Sequence, residues 1–397
     1  MGPMRNVSAA GVEPTARLKV VETTTLWKSP DGKVSARLAR FSPDKRRLAW
    51  CTADGSVFTH DLKTGKTAVV DKGGGEAGVG GLTWSATNDL AWCVRSDPET
   101  RYASFKSWTR GTGGCIADAG GAMRVAWRAD SKALAFSTKT KLELYDFDVT
   151  IKEPRLLDQQ KGWRPKGAAA YEDLVFVGDR VAARAAGTMK WWLAGRKKKA
   201  IALGELRGLC PDPKRNRLFA VAWQAGPVGI PRGCGVVCFD LSETPLKRTT
   251  IVPFDHIGDE PYWLVDIWNA AYPTTLRISP DGKTLTFCGV KAGALSENAW
   301  REFCIWRVPS DGSEPPAAVA KCGPIFKRID VGDTHFIGWR YKIDKAIVLG
   351  DLTRGVVWRL PDDFYVQRVN TDVLVDRLLV GAARGKDVVL MQLAEEK

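Results

Sequence analysis

The sequence predicts an all-β fold, a single β-propeller of four-stranded antiparallel blades. Two observations carry this: a strand–turn–strand pattern recurs along most of the 397 residues, and its clearest copies are about 43 residues apart, a blade-sized period. The pattern is an apolar run, a polar turn rich in Ser, Pro, Asp and Lys, then Leu, a small residue and often an aromatic. It reads RFSPDKRRLAWC from Arg40, LTWSATNDLAWC from Leu82, VAWRADSKALAFS from Val125 and RISPDGKTLTFCG from Arg277. Degenerate copies stand at Ala170, Leu209, Gly338 and Val375. Each unit is a hairpin in which Pro pre-sets φ and Asp, Asn or Gly supplies turn hydrogen bonds or positive φ.

The second strands are marked by Leu48, Leu90, Leu134, Leu174, Leu218, Leu285, Ile347 and Leu378. Third strands are expected to end at His60-Asp61, Trp108-Thr109, Tyr145-Asp146, Trp192-Leu193, Phe239-Asp240, Trp306-Arg307, Trp358-Arg359 and Met391-Gln392. Both series count eight blades. The final interval, 31 residues from Ile347 to Leu378, is tight for four strands, so seven blades stay open. The β-branched segment LKVVETTTLW from Leu18 precedes the first full repeat and is expected to complete the last blade, closing the ring and removing a free edge. Residues 1–16 read as a flexible segment and 17–397 as the propeller, with insertions at 224–234, 252–275 and 290–301.

Composition fits a packed body: 44% hydrophobic and 26% charged residues with 16 Trp exclude wholesale disorder. No apolar run is long enough to span a bilayer and the N-terminal segment lacks a signal-peptide core, which leads to the expectation of a cytoplasmic protein without membrane contact. The nine cysteines, several inside apolar runs such as those ending at Cys51 and Cys93, read as reduced core residues.

By this register the three insertions emerge on one face and in one sector. Residues 252–268 carry Asp255, Asp259, Glu260 and Asp266 with no Lys or Arg, beside His256, Tyr262, Trp263 and Trp268, and Trp300 belongs to the third insertion. Aromatics within a polar rim are the composition of an interaction hot spot; the other reading is a loop packed on its own propeller. The hairpin turns of the opposite face are basic: Lys45, Arg46 and Arg47; Arg196, Lys197, Lys198 and Lys199; Lys214, Arg215 and Arg217. With 59 Lys and Arg against 45 Asp and Glu the chain carries a net charge of +14, and such a face would hold phosphates or acidic protein by charge, the alternative being solvated turn residues.

Catalytic signals are missing. His60, His256 and His335 fall in different blades, no nucleophile elbow, Walker loop or dinucleotide fingerprint occurs, and GGGEAGVGG from Gly73 lacks the Lys and helix of a phosphate cradle and reads as a flexible linker. No cofactor and no metal are expected.

Through its FSPD and ISPDGK turns and the HDLKTGK segment from His60, the chain resembles the WD-repeat propeller family over nearly its whole length. The family's Gly-His dipeptide is absent, and Trp-Asp ends no third strand, so its structural hydrogen-bond network does not carry over. The turns are equally similar to those of periplasmic Tol-system propellers, which need export. The WD-repeat resemblance implies a rigid, non-catalytic scaffold for protein or nucleic-acid partners. A nucleic-acid-binding subunit using the basic face and a propeller enzyme with carboxylates at the central channel are the alternatives.

Overall fold

The computed structural model describes residues 16–73, 78–95, 101–107, 112–117, 124–137, 141–146, 155–161, 171–185, 190–195, 198–212, 214–225, 231–243, 245–253, 262–265, 276–292, 303–323, 326–332, 334–340, 347–360 and 371–396. The chain forms two compact units. One comprises Val20–Gly204 and Val366–Ala394, the other Met1–Lys19, Glu205–Tyr365 and Glu395–Lys397.

In the first unit, Ala36–Phe41, Arg47–Thr52, Val57–Asp61 and Thr67–Asp71 make a four-stranded sheet in sequence order, each strand antiparallel to the last. The same meander repeats over residues 78–117 and 124–161. Tyr171–Val177, Arg180–Ala185 and Lys190–Gly195 begin another. Thr371–Leu374, Leu379–Arg384 and Asp387–Glu395 pair in order, and Ala16–Lys28 is the strand beside Asp387–Glu395. Ser29 N donates to Lys386 O at 2.8 Å, so the two chain ends share one sheet as the sequence predicts.

The second unit holds Arg217–Ala225, Pro231–Asp240 and Lys247–Val252, preceded by the end of the long strand Lys198–Pro211. Leu276–Ile278, Thr284–Ala292, Phe303–Pro309 and Ala317–Gly323 follow, then Phe326–Val331, His335–Arg340, Ile347–Asp351 and Val356–Arg359.

The recurring Leu-small-aromatic-small run explains the packing. In Arg47–Thr52, Leu48 and Trp50 pack against Leu374, Ala383 and Val388 of the C-terminal sheet, while Ala49 and Cys51 on the opposite face meet Leu82, Leu90 and Trp92. Ala91 and Cys93 then meet Leu134, Phe136 and Tyr145, and Ala133 and Ala135 meet Phe176, Val181 and Ala183. A strand buried on both faces alternates large and small, so that each sheet's bulky side fits its neighbour's shallow side. In the other unit Phe219, Val221, Val236 and Cys238 pack on Leu276, Leu285, Phe287 and Val308. Four-stranded antiparallel meanders stacked face to face through their inner strands are the blades of a β-propeller.

Two register assignments from the sequence are corrected. Leu174 lies on a first strand, Tyr171–Val177, because the tight turn at Gly178 (φ +60°) and Asp179 follows it. Ile347 lies on a third strand, not a second: Asp351, Leu352 and Thr353 after it form the cap that ends third strands, and Trp358 belongs to the fourth. The second strand there, His335–Arg340, follows a turn without the Ser-Pro-Asp signature, and the short 31-residue interval arises from passing over it. Gly78–Gly81, read as linker, belongs to the strand Gly78–Trp84.

Gly381 marks how closely the sheets approach: a Cβ there would lie 2.7 Å from Leu48 Cδ1 and 3.2 Å from Phe41 Cζ. Gly381→Ala is expected to destabilise the protein by about 1–3 kcal/mol through overpacking, read from urea unfolding midpoints. Deleting residues 1–28 is expected to bare the Asp387–Glu395 edge and lower the melting temperature or cause aggregation; an unchanged melt would refute the closing role of that strand.

Candidate interaction site

The first feature that reaches beyond the repeat is a strand inside the 252–275 insertion. Tyr262–Val265 runs antiparallel to the end of Thr284–Ala292, with Tyr262 opposite Ala292, Trp263 opposite Lys291, Leu264 opposite Val290 and Val265 opposite Gly289. On its other edge it is parallel to Pro231–Asp240, with Leu264 beside Cys234. Arg217–Ala225 and Pro231–Asp240 are themselves long, pairing out to Ala225 and Pro231. Residues from all three insertions are thus hydrogen-bonded into one sheet. Of the predicted contact residues, Asp255, His256, Asp259, Glu260, Trp268 and Trp300 lie outside the described residues, and for Tyr262 and Trp263 the structure describes the backbone.

The second feature is a set of hydrogen bonds from turn to turn. Each Ser-Pro-Asp-type turn is a type I hairpin closed by a left-handed residue, Lys45 (φ +57°), Asn88 (+64°), Ser131 (+60°) or Gly282 (+73°). In the first, Ser42 Oγ donates to Asp44 and accepts from Arg47 N at 2.9 Å; Ser279, Asp281 and Thr284 repeat the arrangement. The turns then join across sheets. Asp44 N donates to Asn88 Oδ1 at 2.9 Å, Thr87 N to Ser131 Oγ at 3.2 Å, and Trp84 Nε1 to Arg40 O at 3.1 Å. Phe41 N donates to Asp372 Oδ2 and Lys45 Nζ to Asp376 Oδ2, both at 2.8 Å.

This latticework takes up several of the basic turn residues. Lys45 is committed to Asp376. Arg217 pairs at 2.9 Å with Asp212, whose side chain is fully buried, and also donates to Gly282 O and Ser310 Oγ. Arg215 donates to Gly282 O as well, while its guanidinium stays half exposed. Arg46 and Lys214 are exposed, and Arg47 is half-buried. Arg196 and Lys197 lie outside the described residues, and Lys198 and Lys199 begin the strand Lys198–Pro211. Lys45, Arg46 and Arg47 belong to one unit, and Lys214, Arg215 and Arg217 to the other. The cross-sheet role of the turn arginines was not read from the sequence; the signal was Asp212 two residues after Cys210, in the place that Asp44 and Asp281 hold after Ser42 and Ser279.

Third strands end in a carboxylate that caps the next turn. Asp61 Oδ1 accepts from Thr64 N at 2.8 Å and Lys63 N at 3.0 Å, and Asp351 Oδ1 from Thr353 N at 2.8 Å and Arg354 N at 3.1 Å. Asp240 caps with Ser242 in the same way. These hydrogen bonds hold the carboxyls below their ordinary value: the Thr64 amide leads at Asp61 and the Ser242 hydroxyl at Asp240, whereas at Asp351 burial pushes upward and is outweighed by Thr353 and Arg354. His60, buried beside them, has Nδ1 3.0 Å from Thr67 Oγ1 and is held below the usual histidine range by burial, against the pull of Asp61. Burial pushes the Cys51 thiol up to about 12 and Cys238 to about 11, so both are inert packing groups. Among the described residues no cluster of His, Cys, Asp and Glu could hold a metal, and no helix is long and apolar enough to cross a membrane.

Because the three aspartates bind protons less readily folded than unfolded, their contribution is present above the ordinary carboxylate range near pH 4 and is lost as pH falls through the lower folded-state values. Urea midpoints are therefore expected to fall between about pH 5 and pH 2, and Asp61→Asn, which keeps the cap's acceptor without its charge, should flatten that acid limb.

No protein-family model and no curated protein matches this chain. Solved structures do. The Dos1 propeller is 12% identical with a TM-score of 0.53, covering 94% of this chain and 95% of its own. The β-propeller domain of Cps50 (Swd1) from Myceliophteria thermophila is 14% identical with a TM-score of 0.44, covering 83% and 99%. That of the Trilobed protease from Pyrococcus furiosus is 12% identical at 0.47, covering 82% and 97%. The likeness to the Dos1 propeller extends over nearly the whole of both chains and agrees with the stacked meanders: the fold is a β-propeller.

Proposed function

We propose that this propeller is a non-catalytic scaffold for protein–protein interaction, working in the cytoplasm as a subunit of a larger complex, with eight blades and its partner site at the insertions. The observation that carries the reading is the sheet formed around Tyr262–Val265. Three separate departures from the repeat have been drawn together by hydrogen bonds into one place. A repeat needs none of this to fold, and extra segments on a rigid frame are where propeller-like scaffolds carry their specificity. The acidic, aromatic sequence of that insertion suits a partner offering basic and apolar groups.

Trp263→Ala tests it. If Trp263 is a partner anchor, folding stability stays within about 0.5 kcal/mol while binding of the partner captured by the wild type weakens by more than about 1 kcal/mol. A loss of roughly 3–5 kcal/mol in folding would make the segment internal packing.

The second reading is attraction of nucleic acid to basic turns, supported by the exposure of Arg46 and Lys214. Replacing Arg196, Lys197, Lys198 and Lys199 by Ala should reduce heparin or DNA retention and flatten its salt dependence. Absence of retention at low salt removes this reading.

A further inference from the structure

Where the C-terminal sheet meets the sheet of residues 36–71, an apolar notch reaches the surface of one unit. Phe58, on the third strand Val57–Asp61, stacks on the fully buried Trp50, with ring centroids 5.4 Å and planes 8° apart. It also meets Trp27 of the N-terminal strand at 6.1 Å. Val69 of the outer strand Thr67–Asp71 lies directly opposite Phe58, and residues paired in this way put their side chains on one face. Trp27 and Phe58 are half-buried, and Val69 is 52% exposed. The repeat does not call for a large apolar residue there. The equivalent pairs in the other unit are Val237 with Thr250 and Trp306 with Ala318, so a polar or small residue serves in the place of Val69.

The rim of the notch is cationic. Ser29 N donates to Lys386 O, Ala36 N to Gly385 O, Ala53 N to Ser35 O and Gly73 N to Ser56 Oγ. These bonds bring the ends of both outer strands together at one end of the two sheets, and with them Lys28, Lys72 and Lys386. Trp27, Phe58 and Val69 stand one, two and three residues inward of Lys28, Ser56 and Lys72. All three lysines are exposed, and among the described residues none of them makes an ion pair. The carboxylates of that end are engaged: Asp31 by Lys33 N, Asp54 by Ser56 N, Asp71 by the Trp92 indole at 2.8 Å and Asp387 by Arg384. Glu22 is six residues from Lys28, about 20 Å along a strand.

We propose that this notch docks an acidic, apolar segment of a partner protein, which lays a large apolar side chain against Trp27, Phe58 and Val69 and sets carboxylates beside Lys28, Lys72 and Lys386. Charge decides the occupant. Aromatic rings alone would also suit a cationic side chain, but three unpaired ammonium groups at the rim repel one. The stack on Trp50 holds Phe58 in place before binding, so little side-chain freedom is lost there. The notch lies in a different unit from the insertion strand Tyr262–Val265 and takes the opposite charge, which separates its partner from the one proposed above.

The probe is a labelled peptide alternating Glu with Leu and Phe, titrated with the full chain by fluorescence anisotropy beside the same peptide carrying Lys for Glu. The acidic peptide is expected to bind, and more weakly as salt rises. Val69→Asp, at an exposed position, and the double variant Lys28→Glu/Lys72→Glu should each raise its dissociation constant about tenfold with an unchanged melting temperature. Arg46→Glu, in the turn between Ala36–Phe41 and Arg47–Thr52, and Trp263→Ala in the insertion should leave binding as it is. Equal binding of the basic peptide, no binding of the acidic one, or a loss in Arg46→Glu matching that of the double variant overturns the proposal. A doubled mass in light scattering that Val69→Asp returns to one chain places a second copy in the notch and overturns it as well.

Discussion

The structure depends on strands that are buried on both faces. In Arg47–Thr52 the residues from Leu48 to Thr52 are all buried, and this one strand takes part in two interfaces, Leu48 and Trp50 in one and Ala49 and Cys51 in the other. A helix or a half-exposed sheet has one apolar face to satisfy. A blade has two, so no sheet of this kind is stable by itself and each supplies the missing half of its neighbour's core. The alternation of bulky and small side chains is the geometric condition for that, since two bulky faces would hold the sheets too far apart for their small residues to touch anything.

The hydrogen bonds between turns do a different job. Apolar packing fixes the distance between sheets but not their slide past one another, because dispersion contacts are non-directional. Bonds such as Asp44 to Asn88 and Thr87 to Ser131 join positions one module apart in sequence and so fix the offset of each sheet to the next. The buried Asp212 with Arg217 is the charged version of the same device. Its carboxylate is removed from water and is held by the guanidinium, which also donates to Gly282 O and Ser310 Oγ, and by the amides of Lys214 and Arg215.

Much of the fold was legible because the packing condition writes itself into the sequence. LAWC at Leu48 and again at Leu90 is the two-faced strand stated in four residues, and the Ser-Pro-Asp turn before it needs particular side chains to hold a left-handed residue. Where that turn is replaced, as after Tyr171–Val177 and before His335–Arg340, the reading lost its register, since a Gly-Asp turn or a bare Gly leaves strands without an order mark. The grouping of the insertions followed from counting strands. That the middle of one of them becomes a strand wedged between Pro231–Asp240 and Thr284–Ala292 did not, because YWLV is too short to carry a period and its parallel pairing joins residues far apart in sequence. The commitment of Lys45 and Arg217 to acidic partners was hidden for the same reason: a charged turn residue looks alike whether solvated or paired.

Native-state hydrogen exchange measures the two-faced strand directly. If packing on both faces holds the fold, the amides of Leu48–Cys51, Leu90–Cys93 and Leu134–Phe136 exchange slowest and by a common opening, well behind those of the outer strands Thr67–Asp71 and Lys247–Val252. Outer strands protected as strongly as these inner ones would contradict the account.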